Sequence, residues 1–250
     1  MSDYAATTAW IALAFTVAGF VKGVVGMGLP TVAIALLSIV MTPVSAVAIL
    51  VIPSLVTNVW QLFAGPQFAA LARRLAMMML AVSAGTFMGI GVLTGPSTAT
   101  AGAALGAVLV AYGLFGLFGR PFSVSARIEP WLSPVIGLVT GLIAGATGIF
   151  VVPMVPYLNS LGLAKEDLIQ ALGLSFTAST ISLAAALAFK GQYQMPMIWN
   201  SLLAVLPALA GMYIGQHVRD KLQPAVFRRW FFIGLAVLGT YMLVNALWRI

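Results

Sequence analysis

The sequence has no cysteine and a single histidine, His217. The first absence removes disulfide frameworks, thiolate nucleophiles and cysteine-based metal sites together. The second leaves no His-rich metal cluster, so no metal or other cofactor is expected. Charge is also scarce: 7% of the 250 residues are Asp, Glu, Lys or Arg, against roughly a quarter in an ordinary soluble domain. Hydrophobic residues make up 62% of the chain, and the mean hydropathy is +1.08. A soluble fold of this composition would expose apolar patches large enough to aggregate. The chain therefore reads as an integral membrane protein whose partner is the lipid bilayer.

A formal net charge of +7 would suggest nucleic acid in a soluble protein. Here the Lys and Arg residues sit mostly in short loops between apolar runs, the footprint of charges that set orientation in a membrane. No nucleic-acid partner is expected. Met1-Ser2-Asp3-Tyr4 lacks the basic start of a cleaved signal peptide, so the first apolar segment is expected to remain in the mature protein.

Apolar runs fall at about 9–25, 30–41, 43–63, 75–94, 98–119, 131–147, 151–161, 166–189, 197–216 and 230–248. A spanning helix needs about 20 apolar residues. Six runs qualify, those at 30–41 and 151–161 are too short, and those at 9–25 and 131–147 are marginal. Short runs in matching positions, interrupted by Gly and Pro, point to a transporter binding site.

The runs match because the chain repeats itself. Gly19, Gly23 and Gly26 align with Gly141, Gly145 and Gly148; Gly85 and Gly89 align with Gly211 and Gly215. The basic clusters, however, fall in non-equivalent loops. Arg73 and Arg74 follow the run at 43–63, whereas its second-half equivalent is followed by Lys190 alone. The uncharged turn near 95 corresponds to a loop with Arg219, Lys221, Arg228 and Arg229. If basic loops are cytoplasmic, the halves are inverted, with the 120–127 linker inside and Arg249 a mild exception outside. The expected fold is an all-α polytopic membrane protein of two inverted-topology repeats, residues 1–122 and 123–250. Each repeat is expected to hold a broken, re-entrant helix pair followed by three transmembrane helices.

The tip 23–31 carries Gly23, Gly26 and Gly28, then Pro30 and Thr31. Its glycines permit backbone angles that a helix forbids, and Pro suits the first position of a new helix. That helix is too short to span, so its N-terminus is expected deep in the membrane, where unpaired N–H groups and the helix dipole favour an anion. Thr147, Gly148 and Pro153 repeat the device, and the two N-termini are expected to converge near the midplane. A side chain at Gly26 is expected to crowd the tip. Lys22 stands beside the first tip, with Ala144 at the aligned position. An intramembrane Lys is costly and usually has a functional or pairing reason; an anionic substrate is one partner, and snorkelling to an interface is the alternative. Thr57, Asn58 and Gln61 lie within a helical turn of one another. Ser175, Thr177, Ser179, Thr180 and Ser182 form the corresponding cluster. Such groups can bind oxyanion oxygens or simply bond helix to helix.

Gly85-x-x-x-Gly89 and Gly102-x-x-x-Gly106 read first as close helix packing. Trp10, Trp131, Trp199, Trp230 and Trp248 sit near segment ends as interfacial anchors, and His217 reads as solvated.

With these residues in view, the sequence resembles the TauE/SafE family of sulfite and organosulfonate exporters over nearly its whole length. The resemblance rests on GFVKGVVGMGLPTVAIALL, on PSLVTNVWQLF with Pro53 and Asn58, and on GLIAGATGIFVVPMVPYLNSLGL followed by LIQALGLSFTAST. One departure is Leu29-Pro30 after Gly28, where many members have a run of three glycines. The resemblance implies a multi-pass carrier of the bacterial plasma (inner) membrane that exports sulfite or an organosulfonate. The expected substrate-binding set is Lys22, Gly23, Gly26, Gly28, Thr31, Asn58, Gln61, Thr147, Gly148, Ser175, Thr177 and Ser179, with no catalytic residue. No Walker A pattern is present, and no enzyme activity is expected without paired intramembrane carboxylates. An anion channel, or an accessory membrane protein without transport, remains the alternative, and a homo-oligomer is open.

Overall fold

Ten helices account for most of the computed structural model, which describes residues 2–248 apart from 64, 121, 194, 220 and 222. Met1 and Arg249, used above, lie outside the described residues. The helices are α1 (Ser2–Val25), α2 (Leu29–Leu37), α3 (Pro43–Leu62), α4 (Phe68–Leu93), α5 (Thr98–Phe118), α6 (Glu129–Thr147), α7 (Met154–Ser160), α8 (Lys165–Phe189), α9 (Met195–Arg219) and α10 (Pro224–Leu247). No strand occurs among the described residues. Local chemistry sets several starts. Thr42 and Ser97 cap α3 and α5 by accepting the N–H of Ser45 and Thr100, and Pro43 occupies the first turn of α3.

All helices except α2 and α7 are long and apolar enough to cross a membrane. This corrects the sequence reading at two places: α1 and α6, expected to be marginal, each reach spanning length on their own. Their outward surfaces suit hydrocarbon. Leu13, Val17, Leu80, Met88, Leu206 and Val237 are exposed, as hydrophobic side chains facing lipid would be. The protein is a multi-pass membrane protein. Helix α4 also begins two turns before the expected 75–94 run, so Arg73 and Arg74 belong to its first turns rather than to a loop. Arg74 reaches the nearly buried Glu129 at the start of α6 through a two-pronged contact, Nε–Oε1 2.6 Å and Nη2–Oε2 2.7 Å. That fork joins two long helices.

Each short helix folds back along the long helix before it. The indole N–H of Trp10 on α1 donates to the Leu36 carbonyl on α2 at 3.0 Å. In the second half, Ser133 on α6 and Tyr157 on α7 share a hydrogen bond of 2.5 Å. Trp10 is thus a clasp as well as an end marker, whereas Trp131, Trp199, Trp230 and Trp248 are exposed near helix ends.

The long helices pair across the halves. Helix α1 packs on α9, and α4 packs on α6. Both seams are made by the aligned glycines. A Cβ at Gly19 would lie 2.1 Å from the Ala208 carbonyl oxygen, and one at Gly141 would lie 2.1 Å from that of Val82. The next step repeats it: 2.3 Å from Gly23 to Met212 O, and 2.3 Å from Gly145 to Thr86 O. Gly211 and Gly215 answer from α9, and Gly85 and Gly89 from α4. Any side chain at these positions would push the backbones apart, the reason small residues dominate such contacts. Contacts advance along both chains together, so each of these pairs is parallel. Helices α3 and α8 pair differently: Ser54 meets Thr180 while Gln61 and Leu62 meet Gly173, which is antiparallel. Helices α5 and α10 are antiparallel too, with Gly106 against Gly239 and Gly113 against Ala236.

Candidate functional site

The first tip forms where α1 ends. The N–H of Gly26 closes the last turn on the Lys22 carbonyl at 2.7 Å, and Gly26 and Gly28 take φ of 83° and 98°. L-residues with a side chain pay roughly 1–2 kcal/mol there. No atom lies within 4 Å of a Cβ built on Gly26. The expected crowding at Gly26 is therefore absent; the backbone conformation alone calls for glycine.

Lys22 is 3% exposed. Its Nζ donates to Asn58 Oδ1 at 2.5 Å and to Thr57 Oγ1 at 3.1 Å, both on α3. Each acceptor is itself oriented. Thr57 Oγ1 is held against the Pro53 carbonyl at 2.9 Å, and Asn58 Nδ2 donates to Ser54 Oγ at 3.1 Å and Thr180 Oγ1 at 3.3 Å. The Asn58 amide is thereby turned with its oxygen toward the lysine. Thr180 Oγ1 in turn donates to the Phe176 carbonyl at 2.8 Å. Every dipole in this chain presents its negative end to Nζ, and no described acidic side chain pairs with it. An ammonium carries three donors, so one remains after Thr57 and Asn58. Lys22 also lies in the last turn of α1, where free carbonyls favour a cation by about 0.3–1 kcal/mol. Gln61 completes the group: its Nε2 donates to the Gly26 carbonyl at 2.7 Å, and its Oε1 is buried without a partner.

Helix α3 can hold this network because a neighbour repairs its proline. Pro53 has no N–H for the Ile49 carbonyl. Ser201 on α9 donates to that carbonyl at 2.7 Å and accepts the Ile52 N–H at 3.3 Å. Gln170 on α8 similarly pins the loop after α3, accepting the Gln67 N–H at 2.8 Å and donating to the carbonyls of Leu62 and Gly65. Ser54, Ser201 and Gln170 escaped the sequence reading. Ser54 follows Pro53 and adjoins the polar turn, which is a usable signal; nothing in the sequence marks Ser201 or Gln170.

The sequence-derived set divides. Lys22, Gly26, Asn58 and Gln61 come together. Gly23 belongs to the seam with α9, and Gly28 caps α2 with its carbonyl accepting the Val32 N–H at 2.9 Å. Thr31, in the first turn of α2, is buried with an unpartnered hydroxyl, as is Ser175. Thr177 and Ser179 donate to their own helix, at Gly173 O and Ser175 O.

Thr147 and Gly148 lie elsewhere. A Cβ on Gly148 would meet Val47 at 2.4 Å and Ile34 at 2.8 Å. Val47 and Gln61 stand about 20 Å apart along α3 at 1.5 Å per residue, so the two tips do not converge. Glycines aligned in the sequence, Gly26 and Gly148, thus lie by opposite ends of α3, at Gln61 and at Val47. Helix α7 has only seven residues, with Pro153 before it rather than within its first turn. Ile149, Phe150 and Val151 fill its approach, fully buried. His217 is exposed, its Nδ1 2.9 Å from the Tyr213 carbonyl.

Eight membrane-length helices among the described residues, two short helices and a buried lysine among neutral acceptors define the class as a polytopic membrane protein. The family model Sulfite exporter TauE/SafE matches residues 11–242, nearly the whole chain, and the chain belongs to that family of sulfur-anion transporters. No curated protein and no solved structure matches it.

Proposed function

We propose that the protein exports sulfite or an organosulfonate across a bacterial plasma membrane, with the protonated amine of Lys22 as the anion ligand. The observation that carries this reading is the Lys22 network itself. A lysine at the centre of a spanning helix costs about 2.5–3.5 kcal/mol on insertion scales, which is the upper bound for Lys22, buried in the last turn of α1. A purely structural cation would recover that cost with an acidic partner, whereas Thr57 and Asn58 recover only part and leave a donor free. Thr31 in the first turn of α2, Gln61 in the last turn of α3 and Ser175 within α8, which packs on α3, are buried with atoms still unpaired, and oxyanion oxygens or a protonated oxyanion could satisfy them. The site belongs to the first tip alone, so a midplane site between two tips is no longer part of the reading.

The paired antiparallel helices, α3 with α8 and α5 with α10, support two inverted repeats over 1–122 and 123–250. A two-fold axis in the membrane plane makes equivalent helices antiparallel and leaves α1–α9 and α4–α6 as the parallel pair of equivalent contacts. The end holding Arg73, Arg74, Arg120 and Arg228 is then cytoplasmic, and it is the end at which Lys22 meets Asn58. A substrate gathered there leaves down the membrane potential, which expels anions from a negative interior.

The test is efflux from liposomes containing purified protein, over sulfite, sulfate, thiosulfate, sulfoacetate, taurine and acetate, with an imposed potential. Saturable, potential-driven efflux of one sulfur anion is the expected result. No flux of any of them would overturn the transport reading. Step currents in a planar bilayer would replace the carrier with a channel.

A further inference from the structure

Apart from the Lys22 network, a cavity of about 370 Å³ opens between the C-terminal end of α5, helix α7, the start of α10 and the first tip. Arg120 and Arg228 line it together with Asn159, Ser160 and Tyr112, and Val25 and Met27 of the tip form one wall. Both arginines are exposed, and no acidic residue borders the cavity. The Tyr112 hydroxyl, buried at the wall, points at Met27 Sδ at 3.6 Å, which ties α5 to the tip that carries Lys22.

The other end of the α5–α10 pair supplies an internal reference. There a cavity of about 340 Å³ is bordered by Thr42, Thr98, Tyr241 and Asn245, with no Lys, Arg, Asp or Glu. Two cavities of similar size thus occupy opposite ends of one antiparallel helix pair, and only one carries charge. Two guanidinium groups lining one cavity can bind a tetrahedral or pyramidal oxyanion through paired hydrogen bonds. Asn159 Nδ2 donates once to the Val155 carbonyl at 2.8 Å and keeps one N–H as a neutral donor, whereas the Ser160 hydroxyl is spent on the Tyr157 carbonyl at 2.6 Å.

We propose that the cavity lined by Arg120 and Arg228 binds a small oxyanion, at a site distinct from Lys22. The same chemistry is offered by a free sulfur oxyanion and by the phosphate of an anionic lipid. Where the occupant is a free oxyanion, the cavity is a docking station at the basic end of the transporter, ahead of the tip. That placement rests on the proposed transport direction; the binding does not.

The test uses the full chain in nanodiscs on a Lys22→Met background, so that the Lys22 site does not contribute. In zwitterionic lipid, labelled sulfate should bind saturably at low salt, weaken as salt is raised, and bind at least about tenfold more weakly when Arg120→Gln and Arg228→Gln are added. Arg73→Gln, an exposed arginine outside the cavity, should leave binding unchanged. In a second arm, phosphatidylglycerol replaces part of the zwitterionic lipid. Lipid-dependent thermal stabilisation that needs Arg120 and Arg228, without sulfate binding, assigns the site to a headgroup; sulfate binding assigns it to a free anion. Neither effect, or equal loss with Arg73→Gln, overturns the site. Monodisperse elution and an unchanged melting temperature without ligand establish that the double variant is folded. Because Lys22 is already replaced, a failed Lys22 reading leaves this result intact, and the reverse holds too.

Discussion

The two tips share one backbone device and hold opposite contents. In each, a long helix ends on a left-handed glycine whose N–H reaches back 2.7 Å, from Gly26 to Lys22 and from Gly148 to Ala144. In each, a short helix then returns along the long one. Beyond that, the first tip has open space at Gly26 and a buried lysine in an oriented polar chain, while the second is plugged by Val47, Ile34 and Phe150. The glycine-ended long helix and its short return occur twice. The substitution of one residue, Lys22 against Ala144, accompanies the use of only one copy as a candidate site. Symmetry of fold does not carry symmetry of chemistry.

That contrast can be broken from the plugged side most severely. Gly148→Ala adds a Cβ in a left-handed conformation and drives it into Val47; roughly 2–5 kcal/mol of destabilisation is expected from the backbone and overpacking costs together. Gly26→Ala meets no neighbour and should lose only about 1–2 kcal/mol. Thermal unfolding in detergent, compared between the two, checks the ordering; equal losses would mean that the tips are equally packed. Ala144→Lys places a cation and a long side chain in a fully buried site in the last turn of α6 where no acceptor chain awaits it, and up to about 2.5–3.5 kcal/mol of folding or insertion cost is expected. Folded yield and melting temperature report it, and a gain of anion flux with unchanged stability would contradict the asymmetry.

A finer comparison uses hydroxyl removal. Thr57→Val deletes an acceptor of Lys22 and should cost about 1.5–3 kcal/mol, as hydrogen bonds to charged groups do. Thr147→Val removes only local bonds to Ile143 O at 2.7 Å and from Ile149 N at 3.2 Å, for about 1 kcal/mol. Urea or thermal unfolding of both variants should rank them in that order; the reverse ranking would detach Thr57 from Lys22.

Much of this organisation is legible in the sequence because glycine spacing is a direct record of backbone approach. Gly19, Gly23, Gly85 and Gly89, aligned with Gly141, Gly145, Gly211 and Gly215, turn out to be the two equivalent seams. Lys22, Asn58 and Gln61 were legible because polar residues are expensive inside a membrane and stand out against apolar text. The seam partners themselves were not legible: periodicity does not say that α1 packs on α9 rather than on its sequence neighbours. Nor was the separation of the tips, which depends on chain direction as well as on alignment. Ser201 and Gln170 were invisible for a related reason. Each repairs a backbone group on a distant helix, and a lone Ser or Gln in an apolar run looks the same whether it does so or not.

The central claim, that Lys22 is where the anion is held, is tested most directly by sulfite efflux from liposomes carrying equal amounts of folded wild type and Lys22→Met. The methionine keeps length and removes the charge; the gain from losing a buried charge is offset by the Thr57 and Asn58 acceptors left unpaired, so its melting temperature should stay within about 5 °C of wild type. Efflux at the level of protein-free liposomes, from a protein of that stability, is the predicted result. Wild-type efflux from Lys22→Met would contradict the account and move the site away from the first tip.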